Sequence, residues 1–267
     1  MRRYWDVIHG VSSPEQFKNS SKQQTTRTRL DRELENPDKI ANRQPLASEL
    51  LKEASDILKY AENADTSRFT EWLLSDVTRP LICLGNGGKH TTYPSLLYQM
   101  MSSIAKSVTP LEFATMSPEA IKNSKVLILS NGGANLDIRY ATQRAAKYNK
   151  DNTACFTFTD TDDNIMVKTL GLDKSFVFKN SFYDGFISIR SKILTYALLY
   201  KAFSGDNTFA DRVRCEGKYK VCVNKRGLLP QWNKIKHFSL LYGSYGEPVA
   251  HDIESVMAES GVASVQL

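Results

Sequence analysis

The chain has 267 residues, of which 41% are hydrophobic and 24% charged, values that are ordinary for a globular protein. No run approaches the roughly 18 apolar residues of a membrane span, and the N-terminus lacks the apolar segment of a secretory signal. We therefore expect a cytoplasmic protein. The net charge of +6 is scattered and lacks the alternating aromatic and basic residues of a nucleic-acid-binding module. Two interpretations of this charge remain: a solvated basic surface, or a surface that attracts small anions.

The first part of the chain is polar and then becomes helical. Residues 1–44 are predicted to form an N-terminal extension with one helix around 28–34. Pro45 is a typical first residue of a helix, and the apolar residues that follow it recur at the helical period up to Ala61. A second helix is predicted over 67–74, with Phe69, Trp72 and Leu73 facing inward.

From residue 80 onward, short apolar runs alternate with helical patterns. Strands are predicted over 80–84, 108–113, 125–129, 153–159 and 175–178, and helices over 93–105, 138–148 and 183–203. Alternation of this kind favours a parallel sheet covered by helices on both faces. Ligands of such sheets bind beyond the carboxyl ends of the strands. A polar turn is predicted over 160–164.

The C-terminal part contains less than a complete sheet. Residues 204–236 are polar and basic and are predicted to be a linker, and 237–246 is predicted to form a strand and a glycine turn before another helix. This is too little to close a sheet. We expect 237–267 to begin a second domain of a longer protein, the alternative being that it completes the sheet of another molecule.

The four cysteines indicate neither a metal site nor a disulfide framework. Cys83 and Cys155 lie in apolar strand-like runs and are expected to be buried. Cys215 and Cys222 do not have a zinc-binding spacing. No cofactor and no metal are therefore expected.

Two glycine-rich segments each follow a predicted strand and precede a predicted helix. They are Gly85-Asn86-Gly87-Gly88 and Ser130-Asn131-Gly132-Gly133. In such turns backbone N–H groups can approach an anion and the helix N-terminus adds a partial positive charge. The spacing matches neither the dinucleotide fingerprint nor the P-loop. A phosphate or sugar site and plain structural turns are the two alternatives, and Lys89 could contact a phosphate or face solvent.

These segments resemble the sugar isomerase (SIS) domain family. Residues 84–98, LGNGGKHTTYPSLLY, are similar to the first loop and helix of the family, most of all in sedoheptulose-7-phosphate isomerase. Residues 130–137, SNGGANLD, resemble its phosphate loop, and 158–164 occupy the place of its third loop. The resemblance covers 46–200 and the start of a second SIS unit at 237–267. It implies an α/β fold, a three-layer α/β/α sandwich with a flavodoxin-like parallel sheet over 45–203, and a homodimer or larger homo-oligomer.

The resemblance also implies a phosphosugar or related small anion as ligand. The implied ligand-binding residues are Gly85, Asn86, Gly87, Gly88, Lys89, His90, Ser130, Asn131, Gly132, Gly133, Asn135 and Thr159. The phosphate loop departs from the family pattern S-x-S-G-x-[ST], because only its first serine is kept. Gly132 and Asn135 stand at the other two hydroxyl positions, so fewer hydroxyl groups remain to hold a phosphate.

The segment 248–259 resembles a helix in the isomerase domain of glucosamine-6-phosphate synthase. In that register Glu259 falls on the family's catalytic glutamate, and His251 could assist ring opening or carry a proton. The implied activity is an aldose–ketose isomerase, or an amino-sugar deaminase or deglycase, with a glutamate base. The alternatives are a non-catalytic phosphosugar-binding module and, more weakly, a nucleotide-binding protein.

Overall fold

The computed structural model describes residues 47–85, 91–101, 104–159, 164–179, 189–205, 237–239, 241, 243, 246–260 and 264–266. Several sequence predictions concern residues outside these ranges. They are the N-terminal extension with its helix around 28–34, Pro45, Cys215 and Cys222, all but the first two residues of the proposed linker, and Asn86 to His90 of the first glycine-rich segment.

Five strands form one parallel sheet in the order β2-β1-β3-β4-β5. They are β1 (Leu81–Gly85), β2 (Ala105–Val108), β3 (Lys125–Leu129), β4 (Thr153–Thr157) and β5 (Ser175–Val177). Every neighbouring pair is parallel, and Gly85 at the end of β1 is in register with Leu129 at the end of β3. All carboxyl ends therefore lie along one edge, and the strand order reverses direction between β1 and β3.

Eight helices accompany this sheet in the described part of the chain. They are α1 (Ala47–Asn63), α2 (Ser67–Leu74), α3 (Thr92–Met100), α4 (Pro110–Thr115), α5 (Pro118–Lys122), α6 (Leu136–Asn149), α7 (Ile165–Leu170) and α8 (Ile189–Ser204). Short 3₁₀ turns occur at Lys150–Asn152 and Leu172–Lys174.

The helices divide between the two faces of the sheet because successive strand side chains point in opposite directions. In β1, Leu81 and Cys83 pack in one apolar cluster with α1, α2, α3 and α8. Ile82 and Leu84 pack in the other with α4, α5, α6 and α7. The chain thus forms the three-layer α/β/α sandwich with a flavodoxin-like strand order that the sequence predicts.

The predicted strand over 108–113 is wrong in position. β2 ends at Val108, and Pro110–Thr115 is helical, because Thr109 and Glu112 form a capping box with Pro110 at the first helical position. The helix predicted over 93–105 ends at Met100, since 105–108 is needed as the edge strand beside β1. The short helices α5 and α7 were not predicted.

The other predicted elements agree with the structure to within a few residues where they are described. Cys83 and Cys155 are buried, as predicted. Burial raises the pKa of both thiols, that of Cys155 to about 11. Neither side chain is therefore a reactive thiolate at neutral pH.

A lysine inside the sheet fastens α2 to β3. Lys125 is the first residue of β3 and is 1% exposed. Its Nζ donates to the carbonyl groups of Trp72 and Leu73 in the last turn of α2, the latter at 2.9 Å, and lies 4.7 Å from the centre of the Trp72 ring. Burial lowers the pKa of Lys125 to about 8. The lysine satisfies helix carbonyl groups that would otherwise be left unpaired at the C-terminus of α2.

The C-terminal segment adds a second, two-stranded parallel sheet. β6 (His237–Ser239) pairs with β7 (Ser264–Gln266), and helix α9 (Glu247–Ser260) connects them. An ion pair links α9 to α8: Lys192 Nζ lies 3.1 Å from Asp252 Oδ1, and the two side chains are 5% and 24% exposed. Among the described helices, none combines the length and the apolar composition that crossing a membrane requires.

Candidate functional site

The two glycine-rich segments follow β1 and β3, which are neighbours at the point where the strand order reverses. In open parallel sheets, the connections leaving such a pair of strands separate to opposite faces and leave a crevice between them. Gly85, Ser130, Asn131, Gly132, Gly133 and Asn135 therefore lie along one short stretch of the carboxyl edge. The described starts of the two segments, Gly85 and Ser130, therefore lie at neighbouring strand ends.

Gly85 allows the start of α3 to approach the sheet closely. A Cβ atom at this position would lie 2.7 Å from Thr91 Cγ2 and 3.2 Å from the carbonyl oxygen of Leu129. Thr91 is buried, and its hydroxyl hydrogen-bonds that of Ser107 on β2. Gly85 is thus required by packing, and α3 begins directly above the end of β1.

The segment after β3 is a compact loop held by its own hydrogen bonds. The N–H of Ser130 donates to the carbonyl of Phe156 at 3.1 Å, and the carbonyl of Asn131 accepts from the N–H of Phe158 at 3.1 Å. The N–H of Gly133 donates to Ser130 Oγ at 3.2 Å. This N–H is therefore engaged within the loop, whereas the accepting Ser130 hydroxyl retains a proton that it can donate to a ligand.

Gly133 is the position in this loop that only glycine suits. Its φ angle is +64°, in the left-handed region that side chains disfavour. A Cβ atom here would lie 2.2 Å from Asn164 Oδ1. At Gly132, by contrast, a Cβ atom would meet nothing within 4 Å. The backbone path of the loop thus depends on Gly133.

Asn164 is the residue that joins the loop after β3 to the loop after β4. Its side chain is fully buried. Nδ2 donates to Thr157 Oγ1 at 3.0 Å and to the carbonyl of Thr159 at 2.8 Å, and Oδ1 accepts from the N–H of Met166 at 3.1 Å, capping α7. The sequence places Asn164 in a polar turn and at the end of the segment that resembles the family's third loop, without a role of its own. An asparagine directly before the apolar run 165–167 is an N-cap signature and was the available signal.

The outer surface of the site carries amide and hydroxyl groups. Asn131 and Asn135 are exposed, and Thr159 is half-buried. Asn135 is the N-cap residue of α6 but makes no capping hydrogen bond with its side chain, so the amide is not committed to its own helix. The start of α6 favours an anion, although exposed Asp137 in its first turn opposes one.

The other two predicted site residues belong to α9. His251 Nδ1 lies 3.3 Å from Glu254 Oε2, and its Nε2 lies 3.6 Å from Glu247 Oε1. Both nitrogens therefore face carboxylates of the same helix. Glu259 is in the last turn of α9; its side chain lies outside the described part of the structure. Within the described residues, no group of three His, Cys, Asp or Glu side chains could hold a metal ion.

Comparison of the sequence with family models and with curated proteins gives no match. Comparison of the structure gives several. The C-terminal domain of glucosamine-fructose-6-phosphate aminotransferase from Francisella tularensis superposes with a TM-score of 0.57 at 13% identity, over 80% of this chain and 65% of that one. Tagatose-6-phosphate ketose/aldose isomerase from Escherichia coli gives 0.53 at 12% identity, over 75% and 60%.

A third structure, a phosphosugar isomerase assigned as putative from Silicibacter pomeroyi, gives a TM-score of 0.51 at 13% identity, over 86% of this chain and 69% of that one. The chain thus spans somewhat less than two thirds of the length of the first two structures. At this level of identity the similarity concerns the fold. The chain therefore has the α/β fold of the sugar isomerase (SIS) domains.

Proposed function

We propose that the chain binds a sugar phosphate at the crevice between the loops that follow β1 and β3. The observation that supports the proposal is the register of Gly85 with Leu129, because the segments that begin at Gly85 and Ser130 then leave the sheet from adjacent strand ends at the reversal point. The start of α6, the Ser130 hydroxyl and the uncommitted amide of Asn135 supply hydrogen-bond donors for a phosphate. The names of structural neighbours with the same fold are those of sugar-phosphate enzymes.

Replacing Ser130 by alanine tests the phosphate site. A hydrogen bond to a charged phosphate oxygen contributes about 1.5 to 3 kcal/mol, so Ser130→Ala is expected to weaken binding by a factor of about 10 or more. Isothermal titration with fructose 6-phosphate, glucosamine 6-phosphate and tagatose 6-phosphate measures the effect, with inorganic phosphate and a nucleotide for comparison.

Ser67→Ala is the matched control, because Ser67 is exposed on α2 and its hydroxyl bonds only the nearby Asp65 among the contacts described. Its affinity should equal that of the unmodified protein. Absence of binding by every sugar phosphate would refute the proposal, and a nucleotide that binds more tightly than all of them would favour the nucleotide alternative.

The catalytic form of the proposal is an aldose–ketose isomerase with Glu259 as the base. A carboxylate removes the proton from C2 of the open-chain aldose phosphate and returns it to C1 of the enediol, while a proton moves from the C2 to the C1 oxygen. The ion pair between Lys192 and Asp252 supports this role, because it holds α9 against α8. Asp252 and Glu259 are two helical turns apart, so their backbone positions share one side of α9.

If Glu259 is the base, Glu259→Gln should lower the isomerisation rate by about 10² to 10⁴-fold and leave sugar-phosphate affinity within a factor of about 2. Exchange of the C2 proton with solvent, followed by NMR in deuterated water, measures the same step. His251→Asn should slow turnover of the cyclic sugar more than that of an open-chain substrate, if His251 assists ring opening.

The second candidate is a non-catalytic phosphosugar-binding module. It is favoured by Gly132 and Asn135, which stand where the family pattern has hydroxyl residues, and by Asp137 at the start of α6. Binding without any C2 proton exchange would support this module and contradict the isomerase. In either form we propose that 237–267 begins a second SIS unit, an assignment supported by the parallel order of β6, α9 and β7.

A further inference from the structure

A cavity of about 430 Å³ lies between α3, α8 and α9, apart from the loop residues of the phosphate site. Its volume is within the range of small-molecule sites. It is lined by Tyr93, Tyr196, Pro248, Val249, Asp252, Ile253 and Met257. Tyr93 is the second residue of α3. None of the lining residues belongs to the proposed sugar-phosphate site.

The walls of the cavity suit a flat aromatic ring. The rings of Tyr93 and Tyr196 are tilted against each other with their centres 4.7 Å apart. Pro248, Ile253 and Met257 complete an apolar surface on the side of α9. Aromatic and thioether groups of this kind pack well against an aromatic ring. Burial raises the pKa of both tyrosines, and the neighbouring Asp252 carboxylate raises that of Tyr196 further. Both side chains are therefore neutral phenols at neutral pH.

The polar part of the wall favours a hydrogen-bond donor. Asp252 is the carboxylate that lines the cavity. Its Oδ1 lies 3.1 Å from Lys192 Nζ, and its carboxylate lies beside the hydroxyl of Tyr196, which can donate to it. Because a carboxylate has about four acceptor positions, Asp252 can accept a further hydrogen bond from a ligand. A carboxylate or phosphate at the same place brings no such donor.

We propose that this cavity binds a small aromatic molecule carrying a hydroxyl or amino group that donates to Asp252. The ring occupies the space between the two tyrosines and the apolar side of α9. Because α3, α8 and α9 all contribute to the walls, the bound molecule fixes α9 relative to the sandwich. It thereby couples occupancy of the cavity to the position of the C-terminal unit.

The test uses three small probes of similar size: phenol, tyramine and benzoate, each titrated calorimetrically with the full chain and no sugar phosphate present. Phenol and tyramine are expected to bind with a Kd of about 1 mM, as is usual for fragments of this size, and benzoate at least about tenfold more weakly because of Asp252. The absence of sugar phosphate keeps this result independent of the proposed function.

Val249→Trp places a large ring at the rim, where Val249 is 62% exposed, and should weaken tyramine binding at least about tenfold by filling the cavity. Ile253→Trp fills the cavity more deeply, and its tyramine affinity is interpreted only if circular dichroism shows that the variant is folded. Leu172→Trp is the control: Leu172 is 68% exposed in the 3₁₀ turn after α7, and binding should not change. Failure of phenol and tyramine to bind, equal binding of benzoate, or unchanged tyramine affinity in Val249→Trp would overturn the proposal.

Discussion

Gly133→Ala is expected to destabilise the protein by about 2 to 4 kcal/mol. A left-handed conformation costs a residue with a side chain about 1 to 2 kcal/mol, and forcing an extra methyl group into a packed site typically costs about 1 to 3 kcal/mol. The methyl group would meet Asn164 Oδ1 at 2.2 Å. Asn164 cannot easily move aside, because its side chain is buried and engaged in three hydrogen bonds.

Thermal unfolding measures this effect, and for a chain of 267 residues the midpoint is expected to fall by about 4 to 7 °C. Gly132→Ala is the matched control, because it adds the same methyl group one residue earlier, where nothing lies within 4 Å of it. It should change the midpoint by less than about 2 °C. Equal midpoints for the two variants would show that the loop does not depend on the conformation of Gly133.

The sheet could be predicted from the sequence because its strands are short continuous apolar runs. Residues 81–84 and 125–129 are buried on both faces of the sheet. A strand in this position consists of consecutive apolar residues, whereas a strand with one face in solvent alternates apolar and polar residues. The starts of both glycine-rich segments, Gly85 and Ser130, therefore lie at strand ends as predicted. That these two strand ends are neighbours required the strand order, which no local pattern determines.

The region after β2 shows where local patterns mislead. Val108 and Phe113 are both buried but belong to different elements, although one strand was predicted to include both. The capping box of Thr109 and Glu112 stabilises a helix here, because it provides hydrogen-bond partners for N–H groups at the start of α4. This signal is present in the sequence and outweighs the apolar pattern.

The central role of Asn164 could not be predicted, because it includes a contact that depends on the sheet topology. Thr157 and Thr159 contribute a hydroxyl and a carbonyl from the end of β4, and Met166 contributes an N–H from α7. These partners are near in sequence, but only the N-cap bond gives Asn164 a sequence signature. Its contact with Gly133 spans 31 positions of the chain and depends on β3 and β4 being neighbours in the sheet.

Asn164→Ala is expected to destabilise the protein by about 3 kcal/mol or more. The change removes the N-cap bond to the N–H of Met166, worth about 0.5 to 2 kcal/mol, and leaves the carbonyl of Thr159 without this partner, at about 1 to 3 kcal/mol. Asn63→Ala is the control, since Asn63 is exposed and its described side-chain bond is to Lys59 of its own helix. Denaturant unfolding of both variants measures the free energies directly.

The same pair of positions offers a stricter test in a double-mutant cycle. In the Asn164→Ala background the two Asn164 atoms that a methyl group at Gly133 would meet are gone, and the flexible end of Met166 at 3.2 Å remains, so Gly133→Ala should cost mainly the left-handed conformation, about 1 to 2 kcal/mol. The two changes are then less than additive by about 1 kcal/mol or more, as expected for residues in contact. Strict additivity would mean that the two loops are held independently. A shortfall from additivity would show that Gly133 and Asn164 form one unit, with the loop after β3 shaped by the loop after β4.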